Sequence, residues 1–132
     1  MIGPVEAAVR AVVRPGQTFA TNSGRATFVV EALGADGVVL GVGEAFAHKI
    51  VTPWAALEGL PGFLRGGSWV RVGSVHSADA VAGSLDGYLQ QFSSRSAGSY
   101  VPVVLESAGV VDINRGRPAT VRLRDGWGTD HA

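Results

Sequence analysis

Three histidines are the side chains of this sequence best suited to metal binding or acid–base catalysis. His48, His76 and His131 are widely separated, so none pairs with another at metal-ligand spacing, and the sequence contains no His-x-x-Glu or Glu-x-x-His run. His76 lies near two serines and Asp79, which would supply a nucleophile, a base and an orienting acid. The surrounding stretch is typical of a loop and serine is abundant, so we interpret these as loop residues and predict no catalytic triad.

Glycine-rich phosphate loops and other catalytic signatures are also missing from the sequence. The run Gly41-Val42-Gly43 lacks the third glycine and the following helix of a dinucleotide-binding loop, and Gly66-Gly67 is not followed by Gly-Lys-Ser/Thr. No carboxylate pair is placed for acid–base work. The chain has no cysteine, which excludes disulfides, thiolate metal sites and cysteine nucleophiles. We therefore predict a protein that is not an enzyme and holds no metal or cofactor.

Arginine is the functional group that remains, and it is concentrated towards the C-terminal end. Residues 110–124 contain four arginines and a single carboxylate, Asp112. Arginine is the side chain best suited to bind phosphate in a bidentate manner, although arginines at a hairpin tip are also commonly just solvated. The whole chain carries 11 basic and 11 acidic residues, so it has no general attraction to a polyanion. Any nucleic-acid binding must come from a local patch.

Length and composition indicate one core-rich domain over residues 1–132. Hydrophobic residues make up 46% of the chain and charged residues 17%, below the roughly 25% of typical globular proteins. No stretch approaches the 18 or so apolar residues of a membrane span, and the start lacks the charged and apolar regions of a signal peptide. We predict a cytoplasmic protein without a membrane partner, and the abundance of Arg, Gly and Ala suggests a bacterial genome of high GC content.

The first part of the chain, residues 1–82, predicts a helix and a small antiparallel sheet. Pro4 suits the first turn of a helix whose apolar positions are Val5, Ala8, Val9 and Val12, and Pro15-Gly16 ends it. Thr52 is suited to cap a later helix, which Pro61-Gly62 breaks or kinks. The other elements are strands over 25–33, 38–42, 46–51 and 68–72. Trp54 and Trp69 are interpreted as core residues.

The second part, residues 83–124, predicts two helices followed by a hairpin. Ser84 caps the first helix, and Leu85, Tyr88, Leu89 and Phe92 form its apolar stripe. The second helix spans 99–108, with Ser99 as its N-cap, because proline is tolerated only in the first turn and Pro102 must lie there. Strands over 110–113 and 118–123 form the hairpin, with Val121 and Leu123 facing inward. Residues 125–132 form a loose tail, within which Trp127 packs on the rest of the protein.

This order of elements resembles the C-terminal part of a winged-helix, or winged helix-turn-helix, domain. In that family the second helix enters the major groove of DNA and the hairpin, called the wing, contacts the backbone. The resemblance covers residues 83–124. It implies DNA-binding roles for residues at the start of the second helix, at the wing tip and along the outer edge of the wing, which are Arg95, Ser96, Ser99, Tyr100, Arg115, Arg117, Arg122 and Arg124.

Two departures from the family pattern change the expected mode of DNA binding. The turn between the helices has six residues, whereas about three or four are usual. The outward positions of the second helix hold no Arg, Lys, Asn or Gln, which are the usual readers of bases, and Glu106 would repel phosphate. We therefore expect contacts led by the wing and directed at the DNA backbone.

The fold class predicted is α+β, with the N-terminal helix and sheet packed on the helix–helix–hairpin unit. The function predicted is non-enzymatic DNA binding, as a transcription regulator, a nucleoid-type protein or a recognition domain of a defence system. The alternative is a protein-interaction or homo-oligomerisation module, such as a homodimer, for which Tyr100 and Val103 would be exposed together. A third possibility is a small-ligand site near Trp54, Trp69 and His76.

Overall fold

The fold contains four α-helices and two antiparallel sheets in the part of the chain that the computed structural model describes, residues 2–73, 83–92, 97–116 and 118–127. This confirms the α+β class. The helices are α1 (Pro4–Val12), α2 (Trp54–Phe63), α3 (Leu85–Leu89) and α4 (Val101–Ser107). The strands are β1 (Thr18–Ala20), β2 (Thr27–Leu33), β3 (Gly37–Val42), β4 (His48–Pro53), β5 (Val70–Arg71), β6 (Val111–Asn114) and β7 (Thr120–Leu123), and a short 3-10 helix spans Glu44–Phe46.

The first sheet has the order β1-β2-β3-β4, and each neighbouring pair is antiparallel. The alternation of side chains places Phe28, Val30 and Leu40 on the face that packs against the core, where each is fully buried. Gly37 begins β3 at a position where a Cβ atom would lie 2.2 Å from the carbonyl oxygen of Thr52. Only glycine therefore allows β4 to approach the start of β3 this closely. The predicted strand–turn–strand pattern is confirmed.

The second sheet has the order β5-β7-β6, so the hairpin predicted near the C-terminal end is joined by a strand that precedes α3. Val121 of the central strand lies opposite Val70 on one side and Ile113 on the other. Val121 and Val111 are fully buried, as the alternation in the hairpin predicts. Strand β5 has two residues, shorter than the 68–72 expected.

Helix α2 continues through Pro61, which corrects the expectation that this proline breaks or kinks the helix near Leu60. The helix ends at Phe63, and Leu64 donates its N–H to the carbonyl oxygen of Leu60 at 3.0 Å. Pro61 thus lies in the last turn, where its missing N–H removes one hydrogen bond and the remaining bonds keep the turn helical. Tyr88 of α3 binds to this helix, because its hydroxyl donates a hydrogen bond to the carbonyl oxygen of Ala56 at 2.7 Å.

Helix α1 is held by side chains from distant parts of the chain. Glu58 of α2 accepts the backbone N–H of Val5 at 3.1 Å and of Glu6 at 2.8 Å, so it caps a helix whose own N-cap, Gly3, has no side chain to do so. Arg10 donates to the carbonyl oxygens of residues 33 and 34 in the turn before β3. The buried stripe of the helix is Val5, Val9 and then Val13, whereas Val12, expected inside, is 49% exposed.

A single hydrophobic cluster contains residues from both parts of the chain. Helix α4 packs against α1 and β1 as well as against β6. Phe28 of β2 and Tyr100 meet edge to face with ring centroids 5.3 Å apart. Between β3, β4, α2 and α4 lies a small apolar cavity into which Thr52 projects. The N-terminal sheet therefore packs on the side of α4 that carries Val101, Val104 and Leu105.

Candidate functional site

The face of the second sheet that points away from the core carries most of its charged side chains. Strand alternation and register place Arg71, Asp112 and Arg122 on this side, opposite the buried valines. Trp69, just before β5, and Arg124, just after β7, extend the same side. We call these five residues, Trp69, Arg71, Asp112, Arg122 and Arg124, the arginine face. Three arginines and one aspartate leave it with an excess of positive charge in a chain whose net charge is zero.

Trp69 is the largest apolar group on the arginine face, and its predicted burial in the core is wrong. Its side chain is 44% exposed, and the guanidinium carbon of Arg122 lies 4.6 Å from the ring centroid. Val72 is buried and Val70 is half-buried, so alternation along this segment turns Trp69 and Arg71 outward. That alternation was present in the sequence. Nε of Arg122 is buried without a hydrogen-bond partner in the described residues, whereas its two terminal nitrogens form no hydrogen bond with a described residue and can donate to another group.

Asp112 holds the guanidinium groups of two arginines at once. Its carboxylate accepts from Nε of Arg124 at 2.9 Å and lies 3.6 Å from Nε of Arg122, its cross-strand neighbour. Arg124 also donates to the carbonyl oxygen of Val111 at 3.3 Å. Arg124 is thus committed largely to the hairpin itself, while Arg122 is held by the indole and only loosely by the carboxylate. Arg71 is exposed and makes no ion pair with any residue that the structure describes.

Arg115 lies at the end of the hairpin, where it was expected, but it binds a carboxylate of the same chain. Its two terminal nitrogens donate to both carboxylate oxygens of Glu106, at 2.9 and 2.7 Å. This hydrogen-bonded pair raises the pKa of the Arg115 guanidinium. The pair ties the hairpin to α4 and neutralises the Glu106 charge that was expected to repel phosphate. Arg117, Arg95 and Ser96, three other predicted contacts, lie outside the described residues.

The start of α4 differs from the expected recognition helix. Tyr100, not Ser99, occupies the N-cap position, and no side chain caps the helix there. Val103 is only 6% exposed and Tyr100 is half-buried against Phe28, so the expected exposed pair of Tyr100 and Val103 is wrong. Every residue from Val101 to Leu105 is buried. Helix α1, β1 and β6 pack against the helix, and only its last two residues, the half-buried Glu106 and the exposed Ser107, are accessible to a partner.

The connection between α3 and α4 is organised by Asp86, a residue that sequence reasoning passed over. Its carboxylate is fully buried and accepts the backbone N–H groups of Ala97 and Gly98, both at 3.2 Å. Asn22, in the turn before β2, donates to the carbonyl oxygen of Gly98 at 2.9 Å. Ser84 caps α3 as predicted, by accepting from the N–H of Gly87 at 3.1 Å. These contacts fix the relation between the two helices and give Asp86 a structural role.

The third possibility, a small-ligand site, is not assembled by the described residues. Trp54 is buried as predicted, with its indole N–H donating to the carbonyl oxygen of Gly34 at 2.8 Å. His76 lies outside the described residues. His48 is exposed at the start of β4, and Trp127 is 8% exposed, which confirms that it packs on the protein.

Comparison with known proteins assigns the chain to no family. No protein-family model matches it, and neither a curated protein nor a solved structure does. In the described ranges, no three side chains of the metal-ligating types come together. None of the helices in those ranges combines the length and the apolar character that crossing a membrane requires.

Proposed function

We propose that this protein is a non-enzymatic DNA-binding module that contacts the DNA backbone through the arginine face. The observation that carries the proposal is that Arg71, Arg122 and Arg124 lie on one face of the second sheet with a single carboxylate, Asp112, which pairs with Arg122 and Arg124, and with the exposed indole of Trp69 beside them. Because the rest of the chain balances this charge, a polyanion would be drawn to this face and not to the whole surface.

The order of elements supports a winged-helix-like reading of residues 83–124. Helices α3 and α4 precede the hairpin β6–β7, as the resemblance implies, and β5 completes a three-stranded sheet with that hairpin. In this reading the hairpin is the wing, and the arginine face is the outer side of the wing sheet. Such a module would serve as the recognition part of a regulator, a nucleoid-type protein or a defence system.

The mode of binding follows from which groups are available. Helix α4 is buried from Val101 to Leu105 and leaves only Glu106 and Ser107 accessible near its end, so it is poorly suited to base reading in the major groove. Arg71 is exposed, and Arg122 has two terminal nitrogens that form no hydrogen bond with a described residue, although its Nε is buried. Both are suited to phosphate oxygens, which fix a protein on DNA without reporting its sequence. We therefore expect weak dependence on sequence and strong dependence on salt.

The proposal is tested by replacing one exposed arginine that lies on the arginine face and one that lies elsewhere. Arg71 and Arg25 are both exposed and neither makes an ion pair with a described residue, but Arg25 lies in the turn before β2. Fluorescence anisotropy with a labelled duplex would be recorded at about 50 mM and about 200 mM salt. We expect R71A to weaken binding and to reduce the slope of log K against log salt by about 0.9, while R25A leaves both unchanged.

Two results would contradict the proposal. One is a wild-type protein that binds neither a duplex nor a single strand of DNA even at low salt. The other is an equal effect of R71A and R25A, because the arginine face would then be no more important than any other arginine. Circular dichroism of each variant shows that the fold is intact before binding is compared.

A protein-interaction module is the second candidate, favoured by Trp69. Tryptophan and arginine dominate the binding energy of protein interfaces, and Trp69 with Arg122 is an exposed pair of these types. If this is the function, light scattering should detect a homodimer that W69A dissociates, and the protein should not shift DNA. A monomer at all concentrations argues against self-association through this face.

A further inference from the structure

Trp69 is exposed in a way that the other two tryptophans are not. Trp54 and Trp127 are 6% and 8% exposed and belong to the core, whereas Trp69 is 44% exposed on the arginine face. Arg122 lies over its ring at 4.6 Å and fixes the orientation of the indole above the sheet. A large aromatic surface is therefore held in place beside cationic side chains and left open to solvent.

The combination of an open ring and flanking arginines matches the chemistry of a nucleotide. A base can stack on the part of the indole that Arg122 leaves uncovered, and stacking accepts any base because every base has a π face. Arg71 lies two residues along the chain from Trp69, about 7 Å away in an extended strand. It can therefore reach a phosphate next to a base that stacks on Trp69, while the terminal nitrogens of Arg122 can bind another phosphate.

Stacking of this kind requires a base that is not paired. Inside a duplex the faces of each base are covered by its neighbours, and only the edges are accessible in the grooves. A side chain on a flat sheet can meet the face of a base only where the strand is single or the base is displaced. Phosphate contacts alone explain the arginines of this face but give no role to the indole.

We propose that the arginine face binds single-stranded DNA, with Trp69 stacking on an unpaired base while Arg71 and Arg122 bind the adjacent phosphates. This inference rests on the proposed function and names the form of DNA that the face takes. In this inference Trp69, which carries no charge, makes the largest single contribution to the affinity for single-stranded DNA. A surface that bound DNA by charge alone would not depend on this residue.

The experiment uses the full chain and three probes that share a backbone: oligo-dT, a duplex of equal length, and an abasic strand that has the phosphates without bases. We expect wild-type protein to bind oligo-dT more tightly than the other two at the same salt concentration. W69A should lose about tenfold in affinity for oligo-dT and change by less than about twofold on the abasic strand, and W69F should retain most of the affinity. F92A, which removes another exposed aromatic ring, should have no effect.

Tryptophan fluorescence of the unmodified protein gives a second readout that needs no variant to fold. Because the other two indoles are buried, we expect oligo-dT to quench mainly Trp69, and W69F to abolish the quenching. The inference is overturned if wild-type protein prefers the duplex, or if W69A binds oligo-dT normally while R71A does not; the proposed function survives either result. If wild-type protein binds none of the three probes, the proposed function fails and the inference falls with it.

Discussion

Replacement of Asp112 by asparagine should weaken the fold and strengthen DNA binding at the same time. The carboxylate forms partly exposed ion pairs with Arg122 and Arg124, whose side chains are 35% and 42% exposed. Pairs as accessible as these contribute about 0–1 kcal/mol each, so we expect D112N to lower the free energy of unfolding by about 1 kcal/mol. Asparagine has nearly the same shape, so the strand pairing should persist.

The gain in affinity follows from the charge that is removed. A phosphate bound by Arg122 would lie on the order of 7 Å from Asp112, where two unit charges in water repel by about 0.6 kcal/mol. Removing that repulsion should tighten binding to any nucleic acid about threefold at low salt. The gain should shrink as salt rises, because screening weakens both the repulsion and its removal.

The assay pairs urea denaturation with fluorescence anisotropy on the same preparations of wild type and D112N. A control variant, D36N, removes a carboxylate from the exposed turn before β3, far along the chain from the arginine face, and should leave affinity unchanged. Our reasoning is wrong if D112N binds DNA more weakly than wild type while remaining folded. That result would mean that the position of the guanidinium groups, and not the local charge, limits binding.

Three further predictions concern the stability of the fold, each measured by urea denaturation. E58A should destabilise the protein by about 1–2 kcal/mol because it removes the cap of α1, and E58Q, which can still accept a hydrogen bond, should lose less. D86A should cost about 3 kcal/mol or more because two buried N–H groups lose their acceptor; a loss below about 1 kcal/mol would show that another group replaces it. T52V should stabilise by about 1 kcal/mol, since the Thr52 hydroxyl is buried without a hydrogen-bond partner in the described residues, and destabilisation would contradict this.

The hairpins could be predicted because their signals are local. Alternation places Val121 inward and Arg122 outward whatever the rest of the chain does, and the turn residues fix where each strand reverses. Trp69 was misplaced because its apolar character was weighed above the same alternation, which turns it outward between inward-facing neighbours. For Trp69, the alternation of side chains along the strand predicts the observed exposure better than its apolar character does.

The role of α4 could also be inferred from its own residues. Five consecutive apolar residues, Val101 to Leu105, leave a short helix whose polar residues are confined to its end, and the structure buries all five. Val103 was expected to be exposed because it lies outside the helical spacing of Val101, Val104 and Leu105, which predicts a buried stripe on one side of the helix only. The roles of Glu58 and Asp86 could not be predicted from the sequence. Their carboxylates accept backbone N–H groups of other segments, and no spacing in the sequence indicates which segments come together.

Because Glu58 of α2 caps α1, we expect the two helices to form in a fixed order. The bonded N–H groups lie 53 and 52 residues from the carboxylate, so closing a long loop must precede the completion of the first turn. A helix of nine residues is marginal by itself in water. Helix α1 should therefore fold after α2 has docked and open before it, so that its amides exchange with solvent ahead of those in the rest of the core.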